Sequence, residues 1–376
     1  MSIIKDAEFV KRIKTIRKKM EDQSIDFMII YSDIWRTKNV AYFTDYRSGA
    51  GGIGQAWNVL LLPVDGELVL FTGFEMVGDA LLQGRNLKQV FSSVIFESEF
   101  KKYCDINKPK KVGIIGYDII CRKVYSIVNE ALHGAEIIDC DELHAREIWV
   151  KTEDEIKAIK KATKINDKAL TAVIDAIKEG VSENELSAIG ASVITGHGAD
   201  LAFFPTVGTG TNSALAMKRP TDRKVKSGDV ILLDFGAVYE GYASDTARTI
   251  GYQLTDSNLR NMIDAALEAR EAALALVKPG VVVNEIEKAV RNAIIKKGFG
   301  DYILHNCSHG LGIDSSEEDF PMSLTSALII EKGMVFTIEP GIYIPNVAGC
   351  RIEEVVHVTQ NGCEVFSELR PDYFIQ

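Results

Sequence analysis

The sequence predicts an α+β protein of two domains: a smaller α/β domain over residues 1–148, and a larger one over 149–376 made of two similar α/β halves. Three observations carry this. Helix-like and strand-like patterns alternate along the first 148 residues, the pattern of an α/β domain with a mostly parallel sheet. A break near residues 149–151 is followed by Thr152-Glu153-Asp154-Glu155, a helix-start signal. Finally, Gly-Val-x-x-Asn-Glu-[Leu/Ile] occurs at Gly180 and again at Gly280, an offset of 100 residues.

Residues 8–23 are charged, with Phe9, Ile13, Ile16 and Met20 at helical spacing, so they predict an amphipathic helix. Residues 25–31 form a short apolar run that suits a buried strand, and 57–63 and 67–72 make a hairpin across Asp65-Gly66. Residues 111–115 and 136–139 predict further strands around a helix at 123–132. Past the boundary, Thr152 and Glu155 can satisfy each other's free backbone donors, and the helix they open is expected to run to about residue 179 and stop at Gly180. Each copy of the repeated motif follows one long helical stretch and opens another helix. Residues 151–376 therefore read as two duplicated halves folded face to face, with a cleft between them as the natural place for a site.

Composition narrows the class. With 46% hydrophobic and 26% charged residues the chain is globular, which excludes disorder, collagen and coiled coil. A net charge of −10 argues against nucleic acid or an anionic membrane as partner; the basic runs at 11–19 and 108–111 read as solvated surface. Charges at Lys5, Asp6 and Glu8 leave no room for an apolar signal core, and no apolar run approaches the ~20 residues of a membrane span. Six scattered cysteines without a CxxC pair fit reduced thiols and a cytoplasmic location.

Chemistry concentrates in the second domain. Residues 229–237 are an apolar strand interrupted by Asp234, and the chain turns at Tyr239-Glu240-Gly241 and returns through Asp245. The two carboxylates should face each other, directly or diagonally, and unpaired like charges there repel. Either a divalent cation lies between them, or Asp234 caps a turn while Asp245 pairs with Arg248. Further groups favour the cation. Glu339 ends the strand pattern 335–339, Glu353 sits in the strand pattern 351–356, and His309 lies in His305-Asn306-Cys307-Ser308-His309-Gly310. Acidic groups inside apolar strands need a partner when buried. One imidazole with four carboxylates is a hard donor set that suits Mn, Fe, Co or Zn, and bridging carboxylates suit two ions. Cys307 and Cys350, although beside these groups in sequence, are expected to pack rather than ligate.

The ordered segments DFGAVYEGYASDTART, SHGLGID, FTIEPGIYIP and RIEEVVHVT resemble the signatures of the pita-bread metallopeptidase family, which includes creatinase, prolidase, aminopeptidase P and methionine aminopeptidase. The similarity spans about residues 151–370, and residues 1–148 resemble the creatinase-type N-terminal domain, which points to the creatinase, prolidase and aminopeptidase P branch. The resemblance implies a curved antiparallel sheet held in duplicated halves. It also implies two divalent ions, most often Mn, on Asp234, Asp245, His309, Glu339 and Glu353. Glu339 would be the general base, His305 a substrate-side histidine and Arg351 an outer support of the site. Arg47, beside Tyr46 and the glycine-rich 49–54, lies where such proteins present substrate-facing residues, and a homodimer is implied. At two places the sequence departs from the proline-specific members. Met217 stands where they carry a histidine that shuttles protons, and Ser316, followed by Glu317, stands where they carry a second one.

Three functions are expected in descending order. The first is hydrolysis of a C–N bond in a short peptide or small molecule by metal-activated water, as in Xaa-Pro dipeptidases and aminopeptidase P. The second is a non-peptidase hydrolase or lyase on the same fold, resembling creatinase or the iron-dependent dimethylsulfoniopropionate lyases. The third is a binding module without catalysis, which the complete ligand set disfavours.

Overall fold

The smaller unit starts with helix α1 (Asp6–Gln23), whose buried stripe is Phe9, Ile13, Ile16 and Met20. The computed structural model describes residues 3–47, 57–317 and 320–375, and the glycine-rich 49–54 lies outside them. Next come β1 (Phe27–Asp33), α2 (Lys38–Thr44), β2 (Trp57–Pro63), β3 (Leu68–Thr72), α3 (Val77–Gln83), β4 (Leu87–Ser92), α4 (Phe96–Asn107), β5 (Lys111–Ile115), α5 (Arg122–Ala131), β6 (Glu136–Asp139) and α6 (Asp141–Trp149). The sheet order is β4-β3-β2-β1-β5-β6. It is mixed: β3/β4, β1/β5 and β5/β6 run parallel, whereas β2 is antiparallel to both neighbours. The short turn after β2 allows only an antiparallel partner, and helical crossovers supply the parallel ones. The basic run of α1 is solvated at Lys11, Lys14 and Lys18. Arg12 departs from that expectation. It is buried, its guanidinium lying 4.3 Å from the Tyr42 ring and donating to the Tyr42 carbonyl.

The chain divides into two compact units between Ile148 and Trp149. The second unit opens with α7 (Glu153–Asp175), where Thr152 and Glu155 form the reciprocal capping box. α7 ends well before Gly180, because the chain must bend for Ile177 and Val181 to reach the core. Gly180, at φ +86°, serves the turn into α8 (Glu183–Gly196). Then come β7 (Asp200–Leu201), β8 (Thr206–Thr209), β9 (Val230–Phe235), β10 (Ala237–Tyr239), β11 (Tyr242–Ala243) and β12 (Thr246–Tyr252). The second half has α9 (Ser257–Leu274), α10 (Val283–Lys296), β13 (Val335–Ile338), β14 (Gly341–Ile344), β15 (Ala348–Arg351), β16 (Glu354–Val358), β17 (Cys363–Val365) and β18 (Asp372–Ile375).

The halves repeat each other. Gly180 N donates to Val225 O and Val225 N to Val181 O; Gly280 N donates to Ile330 O and Ile330 N to Val281 O. The duplicated motif thus closes the same two-bond clasp twice. The strands form a curved, interrupted sheet in four pieces, ordered β18-β12-β9-β8, β13-β16-β17, β14-β15 and β11-β10-β7. β18 joins β12 parallel, the exception in an otherwise antiparallel set. Side chains alternate across β9. Ile231, Leu233 and Phe235 pack with Leu170, Val173 and Leu186 of α7 and α8, while Leu232 packs with Ala247 and Tyr343 on the other face. That alternation assigns Asp234 to the face away from the helices. Among the described residues no helix is long and apolar enough to cross a membrane.

Candidate metal centre

β9 and β12 pair so that Asp234 lies opposite Ala247, which makes Asp245, two residues earlier, its diagonal neighbour. The tight turn that sets this register has Glu240 at φ +46° and Gly241 at +78°, the left-handed pair that matches strand twist. Arg248 does not reach Asp245. It is fully buried on the opposite side, where it binds Glu354 Oε2 at 3.1 Å and the carbonyls of Glu353 and Arg370. The alternative reading of the hairpin, an Asp245–Arg248 pair, is thereby excluded.

The second half supplies three groups from irregular backbone. Residues 307–309 run beside β13: Thr337 N donates to His309 O, and Glu339 N to Cys307 O, both at 2.8 Å. Glu339 follows the last residue of β13. The sequence pattern places Glu353 inside a strand, but it lies in the break between β15 and β16, where its N donates to Ala247 O at 3.0 Å. The break frees Glu353 and Glu354 from strict alternation, and Glu354 pairs instead with Arg248 and Arg270.

His309 Nδ1 lies 3.0 Å from Gly310 O; a carbonyl only accepts, so Nδ1 carries a proton and Nε2 is the nitrogen turned to the carboxylates. Nε2 stands 3.7 Å from Asp245 Oδ2, 3.6 Å from Glu339 Oε1 and 3.6 Å from Glu353 Oε1. These gaps are too wide for hydrogen bonds, but groups ligating one ion at about 2.1 Å stand about this far apart. Asp245, His309 and Glu353 each offer an atom within 4.8 Å of the others. Asp234 Oδ1, Asp245 Oδ1 and Glu353 Oε1 are buried without any hydrogen-bond partner. Orphaned carboxylate oxygens beside an imidazole nitrogen are what a divalent cation satisfies, and the donor set fits one.

Electrostatics agree. Burial first, then the charges of Glu353 and Asp234, hold Asp245 well above the usual carboxylate range. Burial and Glu353 likewise push Glu339 up to about 8. Asp234 rises less, to about 6, because Arg351 opposes its burial. Burial disfavours the His309 imidazolium, but the close carboxylates of Glu353 and Glu339 outweigh that and lift it to about 9. Without a cation the cluster has to hold protons.

Arg351, the last residue of β15, binds Asp234 and donates to Tyr343 Oη at 2.8 Å and to Ala216 O at 3.0 Å. The Tyr343 hydroxyl therefore donates to His305 Nε2 at 2.9 Å, and His305 Nδ1 donates to Asn306 O. Burial lowers the His305 pKa. Both its nitrogens are engaged here, so to meet a substrate His305 must exchange its Tyr343 bond. Met217 and Ser316 line the same cavity of about 510 Å³ as all five acidic and imidazole groups, together with His305 and Arg351. Arg47 belongs to the smaller unit and is paired with Asp45 at 3.1 Å. Cys307 donates to Glu287 and Cys350 lies against Met262 O, both buried; they pack. Sequence reasoning missed Tyr343, which in its strand reads as core, and Phe203, which also lines the cavity.

This fold with a cluster of four carboxylates and one imidazole defines a metallopeptidase class. The profile of metallopeptidase family M24 matches residues 157–360, and that of the creatinase/prolidase N-terminal domain matches residues 12–147. The chain belongs to metallopeptidase family M24. An "uncharacterized peptidase" of Staphylococcus epidermidis is 32% identical over 358 residues, covering 95% of this chain and 99% of that protein. Among solved structures, the X-Pro aminopeptidase of Thermotoga maritima superposes with a TM-score of 0.87 at 26% identity, over 97% of this chain and 99% of that one. The Xaa-Pro dipeptidase of Bacillus anthracis gives 0.85 at 29% identity, over 98% and 100%.

Proposed function

We propose that the protein is a metal-dependent hydrolase of C–N bonds in short peptides, resembling Xaa-Pro dipeptidases and aminopeptidase P and working with two divalent ions, most readily Mn. The observation that carries this is the convergence of three orphaned carboxylate oxygens and the His309 imidazole on one cavity. Asp234, Asp245, His309, Glu339 and Glu353 would hold the ions. When bound, these supply Lewis acidity toward a scissile carbonyl and lower the pKa of water. Glu339, at the end of β13 and facing the cavity, accepts the proton of the attacking water at its carboxylate. Arg351 keeps Asp234 oriented and shares Tyr343 with His305. Once released from Tyr343, His305 can turn to the developing oxyanion. The test is hydrolysis of a dipeptide panel by protein reconstituted with Mn, read beside metal content. Bound Mn with no cleavage of any dipeptide overturns the peptidase reading.

A second reading, a non-peptidase hydrolase or lyase, draws support from Met217 and Ser316 on the cavity wall. Neither side chain can carry a proton as an imidazole does near neutral pH.

A further inference from the structure

The acidic groups cover only part of the cavity. The lining also includes the apolar Phe203, Ala216, Met217 and Leu304. Met217 is 79% exposed and Leu304 63% exposed. Single exposed apolar side chains are ordinary on protein surfaces. Two of them on the same cavity as a cluster of metal-ligating groups have the form of a ligand pocket, which combines apolar walls with a few convergent polar groups.

The wall that carries Met217 is held in place. Residues 209–221 are tied at both ends to one fully buried carboxylate, Glu183. Its Oε1 accepts from Thr209 N at 2.7 Å and Thr209 Oγ1 at 2.8 Å; its Oε2 accepts from Thr221 N at 3.0 Å and Thr221 Oγ1 at 2.6 Å. Asn212 Nδ2 adds a further bond at 3.0 Å. The middle is pinned by Ser213 Oγ accepting from Gly349 N, and by Ala216 O accepting from Arg351. A loop with so many charge-assisted bonds is preorganised, so its specificity does not depend on ordering by the ligand.

Resting on the peptidase reading above, we propose that residues 209–221 form a specificity wall, positioned by Glu183, on which Met217 with Phe203 and Leu304 seats an apolar side chain of the substrate. The flexible thioether of Met217 can mould to straight or branched apolar groups. A polar side chain there would leave its hydrogen-bonding groups unpaired against apolar surface.

The test uses the Mn-loaded full chain and two probes of similar length and equal charge, L-norleucinamide and L-glutaminamide, with binding read by calorimetry. The wild type should bind norleucinamide at least about tenfold tighter, the discrimination expected of a hydrophobic pocket. Met217→Gln should bring the ratio to within about twofold, and Met217→Leu should keep it. Glu183→Gln should lower the ratio with Mn content unchanged, a readout that simple loss of stability would not move. If that variant does not fold, Thr221→Val removes one bond of the clamp and should lower the ratio in the same direction. Equal binding of the two probes by the wild type, or a ratio untouched by Met217→Gln, overturns the proposal. The peptidase reading fails separately, if the probe preference stands and no dipeptide is cleaved.

Discussion

In the first half of the larger unit β9 ends toward Asp234 beside Thr206; in the second, β13 leads to Glu339 beside Cys307. Gly228 and Gly333, at φ +88° and +91°, open these two strands from turns 105 residues apart, and Asp234 and Glu339 are separated by the same 105. Asp245 precedes β12 and Glu353 precedes β16, so the four carboxylates come as two equivalent pairs. His309 breaks the symmetry. It faces Thr337 across the strand pair as Gly208 faces Leu232. A Cβ on Gly208 would stand 2.9 Å from Asn212 O and 3.0 Å from Ser213 Cα, so the first half cannot carry a side chain there. The space a second imidazole would need is taken by the Glu183-clamped segment. Duplication supplied the carboxylates twice; divergence made one strand a ligand donor and the other a wall.

If the pairs are equivalent, losing one member from either half should have the same large effect. Asp245→Ala and Glu353→Ala are each expected to abolish binding of at least one ion and lower turnover by at least about 10³, since both positioning and charge stabilisation are lost. Metal analysis after dialysis against Mn, with kinetics, checks this. A variant from one half that keeps full metal content would end the equivalence.

The wall and the donor strand differ next in proton chemistry. Met217 and Ser316 remove two titratable groups, and a positioned acid or base is worth about 10²–10⁴ in rate. Xaa-Pro cleavage is therefore expected to be slow, lost in His305→Ala, and raised at least about tenfold in the double variant Met217→His plus Ser316→His. Steady-state kinetics on an Xaa-Pro panel decides. A wild-type rate that the double variant fails to raise would favour the non-peptidase reading.

The shared centre also predicts a pH response. The folded pKa values of Asp234, Asp245 and Glu339 are raised by burial and mutual repulsion, and that of His309 is raised by its partners, to about 6 for Asp234, about 8 for Glu339 and about 9 for His309. Raised values stabilise the metal-free fold while the groups are protonated, fully so below the unfolded values. That contribution is lost as pH rises through the folded values. The metal-free protein should thus lose stability from about pH 5 to 9. A cation at a hundredfold excess over its Kd adds about 2.7 kcal/mol, so the Tm gap between loaded and chelated protein should widen with pH and binding should release protons. A gap that stays flat between pH 6 and 9 contradicts the assignment.

Most of the scaffold was legible because its signals are local. The Thr152–Glu155 box, the Asp65-Gly66 turn and the apolar strands each depend on a few adjacent residues, and so does the helix-start motif at Gly180 and Gly280. The equivalence of Asp234 with Glu339 is not legible in the sequence. The loops between helix and strand differ by five residues, so the offset drifts from 100 to 105 and the two strand sequences share little beyond their acids. The pattern around Glu353 reads as an unbroken strand because apolar neighbours hide the break. Tyr343 carries no sequence signal because only tertiary contact gives it Arg351 and His305. Arg12 looked solvated because its ring partner Tyr42 lies 30 residues away.

The smallest contrast lies at the helix starts. Ser182 caps α8 in a reciprocal box with Glu185, whereas Val282 stands at the start of α10 without a side-chain cap, although Glu285 occupies the place of Glu185. The surroundings match otherwise: Ser182 pairs with Lys224 and Val282 with Ile329 through isolated bridges. A cap side chain is worth about 1 kcal/mol. Ser182→Ala should cost about that much, and Val282→Ser should regain part of it by letting Glu285 complete a box, less the apolar contact that half-buried Val282 gives up. Urea unfolding of both single variants and of the double variant measures the two terms, which should add because the helix starts share no partner. If Val282→Ser destabilises by as much as Ser182→Ala, the second half has exchanged its cap for packing, and the equivalence of the two helix starts extends to backbone only.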